Sequence, residues 1–179
     1  MEIIKATAQD APAILSIMEE ARAFQRSCGF LQWRDGYPSM EDILKDISES
    51  VCYKVVSEGE IFGAFSAIYG AEPTYAVIDG GEWLTSGDSY ITIHRIAFSD
   101  TSRGRGLAAK AFGFAYGLCP SFGAVSVRID THYDNAAMRK AIAKFGFTHC
   151  GTVYMADGTE RAAYEKLYEG EAEDGTRRI

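Results

Sequence analysis

An α/β fold on a single mixed sheet is the class this chain predicts, and three features carry the reading. Val51–Val56 and Ile61–Ile68 are β-rich runs joined by Ser57-Glu58-Gly59-Glu60, a turn composition that pairs two strands antiparallel. Tyr90–Phe98, a glycine-rich segment, a helical run from Leu107 to about Leu118 and the extended run Val125–Asp130 make one strand–helix–strand unit, which calls for a parallel pair. The whole order is a strand, two helices, three strands, a helix, a strand, a helix and two strands, or about seven strands and about four helices.

The first strand is Ile3-Ile4-Lys5-Ala6, after which Thr7-Ala8-Gln9-Asp10 offers a capping box ahead of Pro12. Ile14, Leu15, Met18, Ala21 and Phe24 then fall at helical spacing on one apolar stripe. Ser39-Met40-Glu41-Asp42 repeats the capping signal before Ile43, Leu44 and Ile47. Between these helices, Cys28–Pro38 carries Phe30, Trp33 and Tyr37, reading as a loop pinned to the core by its aromatics or as a substrate-facing lid. Late in the chain, Asn135–Phe145 is a helix stopped by Gly146, and Thr148–Tyr154 and Arg161–Leu167 are the last strands. Residues 1–168 read as one domain, and 169–179 as a charged, frayed tail.

With 179 residues, 47% apolar and 12% aromatic, the chain is long enough for one sizeable core. Its net charge of −7 repels nucleic acid and anionic membrane surfaces on average and favours a cationic small substrate or a basic peptide. No apolar run approaches the roughly 20 residues that cross a bilayer, and the start Met1-Glu2-Ile3-Ile4-Lys5 is unlike a signal peptide, so a cytoplasmic location is expected. Cys28, Cys52, Cys119 and Cys150 are widely spaced and accompany three histidines. Neither a metal site nor a disulfide framework is expected, and the four thiols read as buried and free.

Arg103-Gly104-Arg105-Gly106-Leu107-Ala108 is the segment that reads as a binding device. Backbone N–H groups at a glycine-rich helix start, with two arginines beside them, suit a pyrophosphate. Gly104-x-Gly106-x-x-Ala109 formally satisfies the dinucleotide fingerprint, with Asp130 at the end of the next strand as the ribose-binding acid; on that reading the chain is an NAD(P)-dependent oxidoreductase. Against it, Ser99–Arg103 separates the strand from the first glycine, and only one strand–helix–strand unit is present. A P-loop fails because no Gly-Lys-Ser/Thr ends the segment.

Arg103-x-x-Gly106-x-Ala108, shortly after Ile96-Ala97-Phe98, resembles the acyl-CoA pyrophosphate motif of the GNAT N-acetyltransferases. Val127-Arg128-Ile129-Asp130, then Asn135 and Lys144-Phe145-Gly146-Phe147, is similar to that family's later strand, asparagine-led helix and closing Gly-Phe, and the likeness extends over residues 2–168. The resemblance implies a V-shaped splay between the two central strands, with the pantetheine of acetyl-CoA lying in it. It further implies cofactor contacts from the backbone of Ile96, Ala97 and Phe98, from Arg103, Gly104, Arg105, Gly106, Leu107 and Ala108, and from Asn135. The implied reaction is attack of a small-molecule or peptide amine on the thioester; homodimerisation is left open, and no nucleic acid, membrane or metal is expected.

Many family members carry a tyrosine seven residues after that asparagine as the acid for the departing thiolate, where this chain has Ile142. Tyr154, Tyr164 and Tyr133 are the replacements by composition. For the base, His94, Glu82 and His132 compare: His94 lies two residues before Ile96 and is expected on its face, Glu82 sits in a glycine-rich loop, and His132 follows Asp130 closely enough to be oriented by it. Trp33 and Trp83 are core aromatics or walls of an acceptor pocket. His94, Glu82 and Tyr154 are the catalytic candidates taken forward, and the lack of an obvious acid keeps a non-catalytic acyl-CoA-binding module as a rival.

Overall fold

The computed structural model describes residues 1–30, 32–34, 36–102 and 104–170. Seven strands, β1 (Glu2–Lys5), β2 (Cys52–Ser57), β3 (Glu60–Tyr69), β4 (Tyr90–Phe98), β5 (Ser126–Thr131), β6 (Thr148–Tyr154) and β7 (Glu160–Leu167), form one open sheet in the order β1-β2-β3-β4-β5-β7-β6. The helices are α1 (Ala11–Ser27), α2 (Met40–Ser48), α3 (Leu107–Gly117), a single turn α4 (Cys119–Phe122) and α5 (Ala136–Phe145). β4 and β5 are parallel, and every other neighbouring pair is antiparallel. A dinucleotide fold needs a run of parallel strands, so this sheet removes that reading. No described helix is long and apolar enough to cross a membrane.

Local signals fall where the residues place them. Glu58 and Gly59 both take positive φ, 53° and 82°, the pairing that a two-residue turn needs to match the twist of β2 and β3. Ser39 Oγ accepts from the Asp42 N–H at 3.2 Å while Asp42 Oδ2 accepts from the Ser39 N–H at 2.7 Å, closing the box that starts α2. The box at Thr7 caps a 3-10 turn, Ala8–Asp10, ahead of α1. Along α1, Ala11, Ile14, Ile17 and Met18 are buried, so Ile17 takes the place expected of Leu15, which is half-buried.

The sheet has two unlike faces. Against one lie α3 and α5, with Ile91, Ile93, Phe112, Val127, Ile129, Ile142 and Phe147 in one apolar cluster. Against the other, α1, α2 and Trp33 pack over β2–β4, and Tyr75 and Tyr90 cover Val153 and Ala163 further along. Cys52, Cys119 and Cys150 are buried, whereas Cys28 is exposed, which corrects the expectation for that thiol.

The loop of residues 70–89 is anchored by a buried ion pair. Glu165, with no exposed surface, accepts from Arg128 Nε at 3.0 Å, Ser126 Oγ at 2.5 Å and the Leu84 N–H at 2.6 Å. Arg128 is itself stacked between Trp83 and Tyr90, at 4.2 and 3.8 Å from the ring centroids. Trp83 is thus a half-buried aromatic that packs against the Tyr75–Tyr90 cluster and covers a cation.

Two irregularities position the site. The β4–β5 ladder ends at Ile93↔Ile129, while β4 continues to Phe98 against β3 and β5 to Thr131 against β7. The two central strands therefore part beyond Ile93, forming the expected splay. Arg95, at φ 49°, sits where the β3–β4 register shifts, and the bulge breaks the alternation of side chains. Ile93 and Ile96 consequently both pack toward α3, while His94 and Arg95 meet groups on the opposite face. The expectation that His94 shares a face with Ile96 is overturned by that extra residue.

Candidate active site

Gly104 and Gly106 adopt φ of 78° and 72° just before α3, and a Cβ built at either would meet nothing within 4 Å. The backbone is thus left-handed and open at the start of a helix whose first N–H groups have no partner within the helix. Leu107 and Ala108 supply two of those groups, Leu107 being locked into the core. Arg105 is exposed, its guanidinium 5.5 Å from the Phe62 ring centroid. Arg103, the motif's first residue, lies outside the described residues. Of the backbone group Ile96, Ala97 and Phe98, Ala97 is buried and its neighbours half-buried, on the stretch of β4 that β5 has left. Asn135 caps α5, its Oδ1 accepting from the Met138 N–H at 3.2 Å, and its Nδ2 is 3.4 Å from Gln32 Oε1.

On the face away from α3, the splay opens into a cleft of about 580 Å³ walled by the early loop, α2, β4, Asp130 and the β6–β7 turn. Its walls are charged and mostly paired. Asp46 accepts from Arg95 Nε and Nη2 at 2.6 and 2.7 Å and from the Ser66 hydroxyl; Tyr37 accepts from Arg95 Nη1 at 3.0 Å. Burial disfavours the Arg95 cation, but Tyr37 and Asp46 outweigh it and hold its pKa above the ordinary value. His94 Nε2 is 2.9 Å from Glu72 Oε2. Burial would raise the Glu72 carboxyl, yet His94 and the Thr74 N–H and hydroxyl overcome it and bring the pKa down to about 2.

Tyr75 donates to Asp130 Oδ1 at 2.7 Å, so Asp130 is engaged within this cleft rather than waiting for a ribose. His132 is stacked on Phe30 at 5.3 Å and its Nδ1 accepts from the Asp134 N–H at 3.1 Å; Asp134, and not Asp130, is its acidic neighbour. Burial, with the nearby Arg161 cation, lowers the His132 pKa.

Of the three catalytic candidates, His94 alone lines the cleft. Glu82 is exposed in its loop and outside the lining, because the anchor through Leu84 and Trp83 turns the neighbouring backbone inward and leaves Glu82 in solvent. Tyr154 stands at the end of the edge strand β6, 38% exposed and outside the lining, with hydrogen bonding to Asp79 holding its phenol pKa up. Ile142 is fully buried in the apolar cluster beneath α5, and Tyr164 is buried on the same face, its hydroxyl accepting from Arg139 Nε at 3.1 Å. Tyr133 shares a 2.6 Å hydrogen bond with Thr152. Trp33 is buried in the α1–α2 cluster, as the core reading expected, and also lines the cleft. Glu72, Asp46, Arg95 and Tyr75 were not singled out from sequence; the Glu72 signal was its place in a glycine-rich connection, which carries no spacing rule.

A glycine-rich turn at a helix start, beside a splayed parallel pair with a polar cleft behind it, is the arrangement the sequence resemblance implied. The acetyltransferase (GNAT) family model matches residues 15–147, and the chain belongs to that family. It is similar to an acetyltransferase of the GNAT family from Streptococcus agalactiae 2603, 36% identical, with a TM-score of 0.85 over 94% of this chain and 95% of that one. A GNAT-family acetyltransferase from Listeria monocytogenes 4b F2365 shares the fold at 19% identity, TM-score 0.70, over 93% and 94% of the two chains. The ribosomal-protein-S18-alanine N-acetyltransferase from Escherichia coli does so at 15% identity, TM-score 0.65, over 97% of each. No curated protein matches the sequence. The family implies acetyl-CoA as co-substrate, and among the described residues no group of three or more His, Cys, Asp or Glu is arranged to hold a metal.

Proposed function

We propose that this protein transfers the acetyl group of acetyl-CoA to a primary amine by direct attack while both substrates are bound. The observation that carries the proposal is that the glycine turn at Gly104–Gly106 starts the helix packed on one face of the splayed pair, while the cleft lined by His94 lies on the other. The fit to a CoA pyrophosphate rests on the two left-handed glycines with open space above them and on the free helix N–H groups. The unpaired edge of β4 along Ile96–Phe98 would receive the pantetheine amides as an added strand, and Arg103 and Arg105 would flank the phosphates. Asn135 is a cap first, and with its Oδ1 on Met138 and its Nδ2 on Gln32 it would meet the pantetheine arm only through the second Nδ2 hydrogen.

In the reaction the amine nitrogen attacks the thioester carbon, the carbon–sulfur bond breaks, and the amine's proton leaves as the thiolate departs and is protonated. An ordinary alkyl amine, pKa about 10.4, is neutral only about one part in a thousand near pH 7, a handicap of roughly 4 kcal/mol. Orienting two bound reactants is worth about 7–11 kcal/mol, so positioning dominates. His94 is the group placed to take the proton, directly or through water. Glu72 sets its tautomer, since a carboxylate at Nε2 keeps the proton there and leaves Nδ1 as the acceptor. A backbone N–H of β4 near Ile96 would stabilise the developing oxyanion. With Ile142 buried, the thiolate's proton comes from water.

Release of free CoA thiol from acetyl-CoA across a panel of amines tests the proposal: turnover with at least one amine supports it. Tight acetyl-CoA binding with no release for any amine would leave the non-catalytic acyl-CoA-binding reading, which the buried Ile142 favours.

A further inference from the structure

Arg161 sits in the wall of the acceptor cleft with its charge incompletely matched. It is 5% exposed, and a guanidinium carries five N–H donors and no acceptor. Among the described residues its hydrogen bonds go to two backbone carbonyls, Glu160 at 3.0 Å and Gln32 at 2.8 Å. The nearest carboxylate oxygen is Asp130 Oδ2, 3.9 Å from Nε and beyond hydrogen-bond length, and the other Asp130 oxygen is taken by Tyr75. A carbonyl accepts a hydrogen bond without neutralising a cation. Burying a guanidinium without a hydrogen-bonded anionic partner is costly, and burial, with Arg34 nearby, outweighs the charges of Asp130 and Asp157 and lowers the Arg161 pKa. Arg95 in the same cleft makes the contrast, held bidentate by Asp46 at 2.6 and 2.7 Å.

We infer that the acceptor is a small amine that also carries an oxyanion, a carboxylate or a phosphate, seated with the anion on Arg161 and its amine toward His94. This rests on N-acetyl transfer to an amine being the reaction. It also departs from the simple expectation that a chain of net charge −7 draws in purely cationic acceptors, because the other arginines of the cleft, Arg34 and Arg95, are paired to Asp157 and Asp46 and leave Arg161, among the described residues, as the guanidinium without a hydrogen-bonded carboxylate. The planar fork of an arginine matches both oxyanions, so the test has to tell them apart.

The test is CoA thiol release by the whole chain with two matched pairs: an amino acid against its carboxamide, and aminoethyl phosphate against ethanolamine. A charge-assisted contact to a buried arginine is expected to raise kcat/KM for the anionic member by roughly 10- to 100-fold, and whichever pair shows it identifies the oxyanion. In Arg161→Gln that ratio is expected to collapse toward one, mainly through KM, a change that loss of the Gln32 tether alone would not select for. Should Arg161→Gln fail to fold, the wild-type pairs still decide. Equal or faster turnover of the uncharged members overturns this inference and leaves acetyl transfer to amines standing. No thiol release with any amine, with acetyl-CoA still bound, overturns the transfer reading and this inference with it.

Discussion

His94 Nε2 and Glu72 Oε2 stand 2.9 Å apart in the wall of the cleft, and both side chains are about four-fifths buried. Tyr75, whose ring centroid is 6.3 Å from that of His94, packs beside the pair. The imidazole is therefore held by a carboxylate on one edge and an aromatic ring on its face, next to the point where β4 and β5 separate.

That placement predicts a division among the candidate catalytic groups. His94→Ala is expected to lower kcat by roughly 100-fold with a small effect on the acetyl-CoA KM, the size usual for a positioned acid or base. Glu82→Gln and Tyr154→Phe, whose side chains lie outside the cleft, are expected to keep activity within tenfold, or about 1.4 kcal/mol. Steady-state kinetics on the three variants checks this, and a His94→Ala loss below tenfold would remove the imidazole from the reaction.

Glu72 predicts a specific acid dependence of stability. Its carboxyl falls from 4.5 to about 2 on folding; a lowered carboxyl stabilises the fold fully above its unfolded value and loses that contribution as pH falls through its folded one. Wild type should thus exceed Glu72→Gln by at most about 3 kcal/mol near pH 5, with the gap closing toward pH 2. Denaturant melts between pH 2 and 5 measure it; a gap that widens toward low pH would contradict the pairing.

At the cradle, Gly106→Ala places a side chain in a left-handed conformation, costing roughly 1–2 kcal/mol. No atom lies within 4 Å of the new methyl, so the penalty is backbone strain and not collision. A Tm lower by a few degrees and about tenfold weaker acetyl-CoA binding in calorimetric titration are expected. Unchanged affinity would separate these N–H groups from the pyrophosphate.

Glu165→Gln leaves the Arg128 guanidinium buried without its anion. Loss of one partner of such a pair costs about 3–5 kcal/mol, a Tm lower by roughly 10 °C or more for a chain of this size. Because Glu165 also accepts from Leu84 and Thr85, the loop of residues 70–89 should lose amide protection first, which hydrogen exchange would detect.

The elements that were legible in the chain are those decided by residues a few positions apart. Ser39 with Asp42, Glu58 with Gly59, Asn135 with Met138, and Gly146 as a helix stop each act within one turn, so their chemistry is readable in order along the sequence. The glycine segment belongs with them, since a left-handed backbone and a helix start are local. Element order and the open glycine turn before α3 followed from those signals.

The acceptor half was decided by tertiary structure. Glu72 and His94 are 22 residues apart, Asp46 and Arg95 49, Tyr75 and Asp130 55, and Gln32 and Arg161 129; no periodicity links such positions. Sequence alternation placed His94 with Ile96, but the rule assumes an unbroken ladder, and one left-handed residue at Arg95 reversed it. Glu82 and Tyr154 are plausible by residue type, and the anchoring of the loop at Glu165 and the edge position of β6 put them outside the lining of the cleft. The chain's own order thus determined which fold forms and where the left-handed glycine turn opens a helix, whereas the charges lining the cleft were brought together only by packing distant segments across the splay.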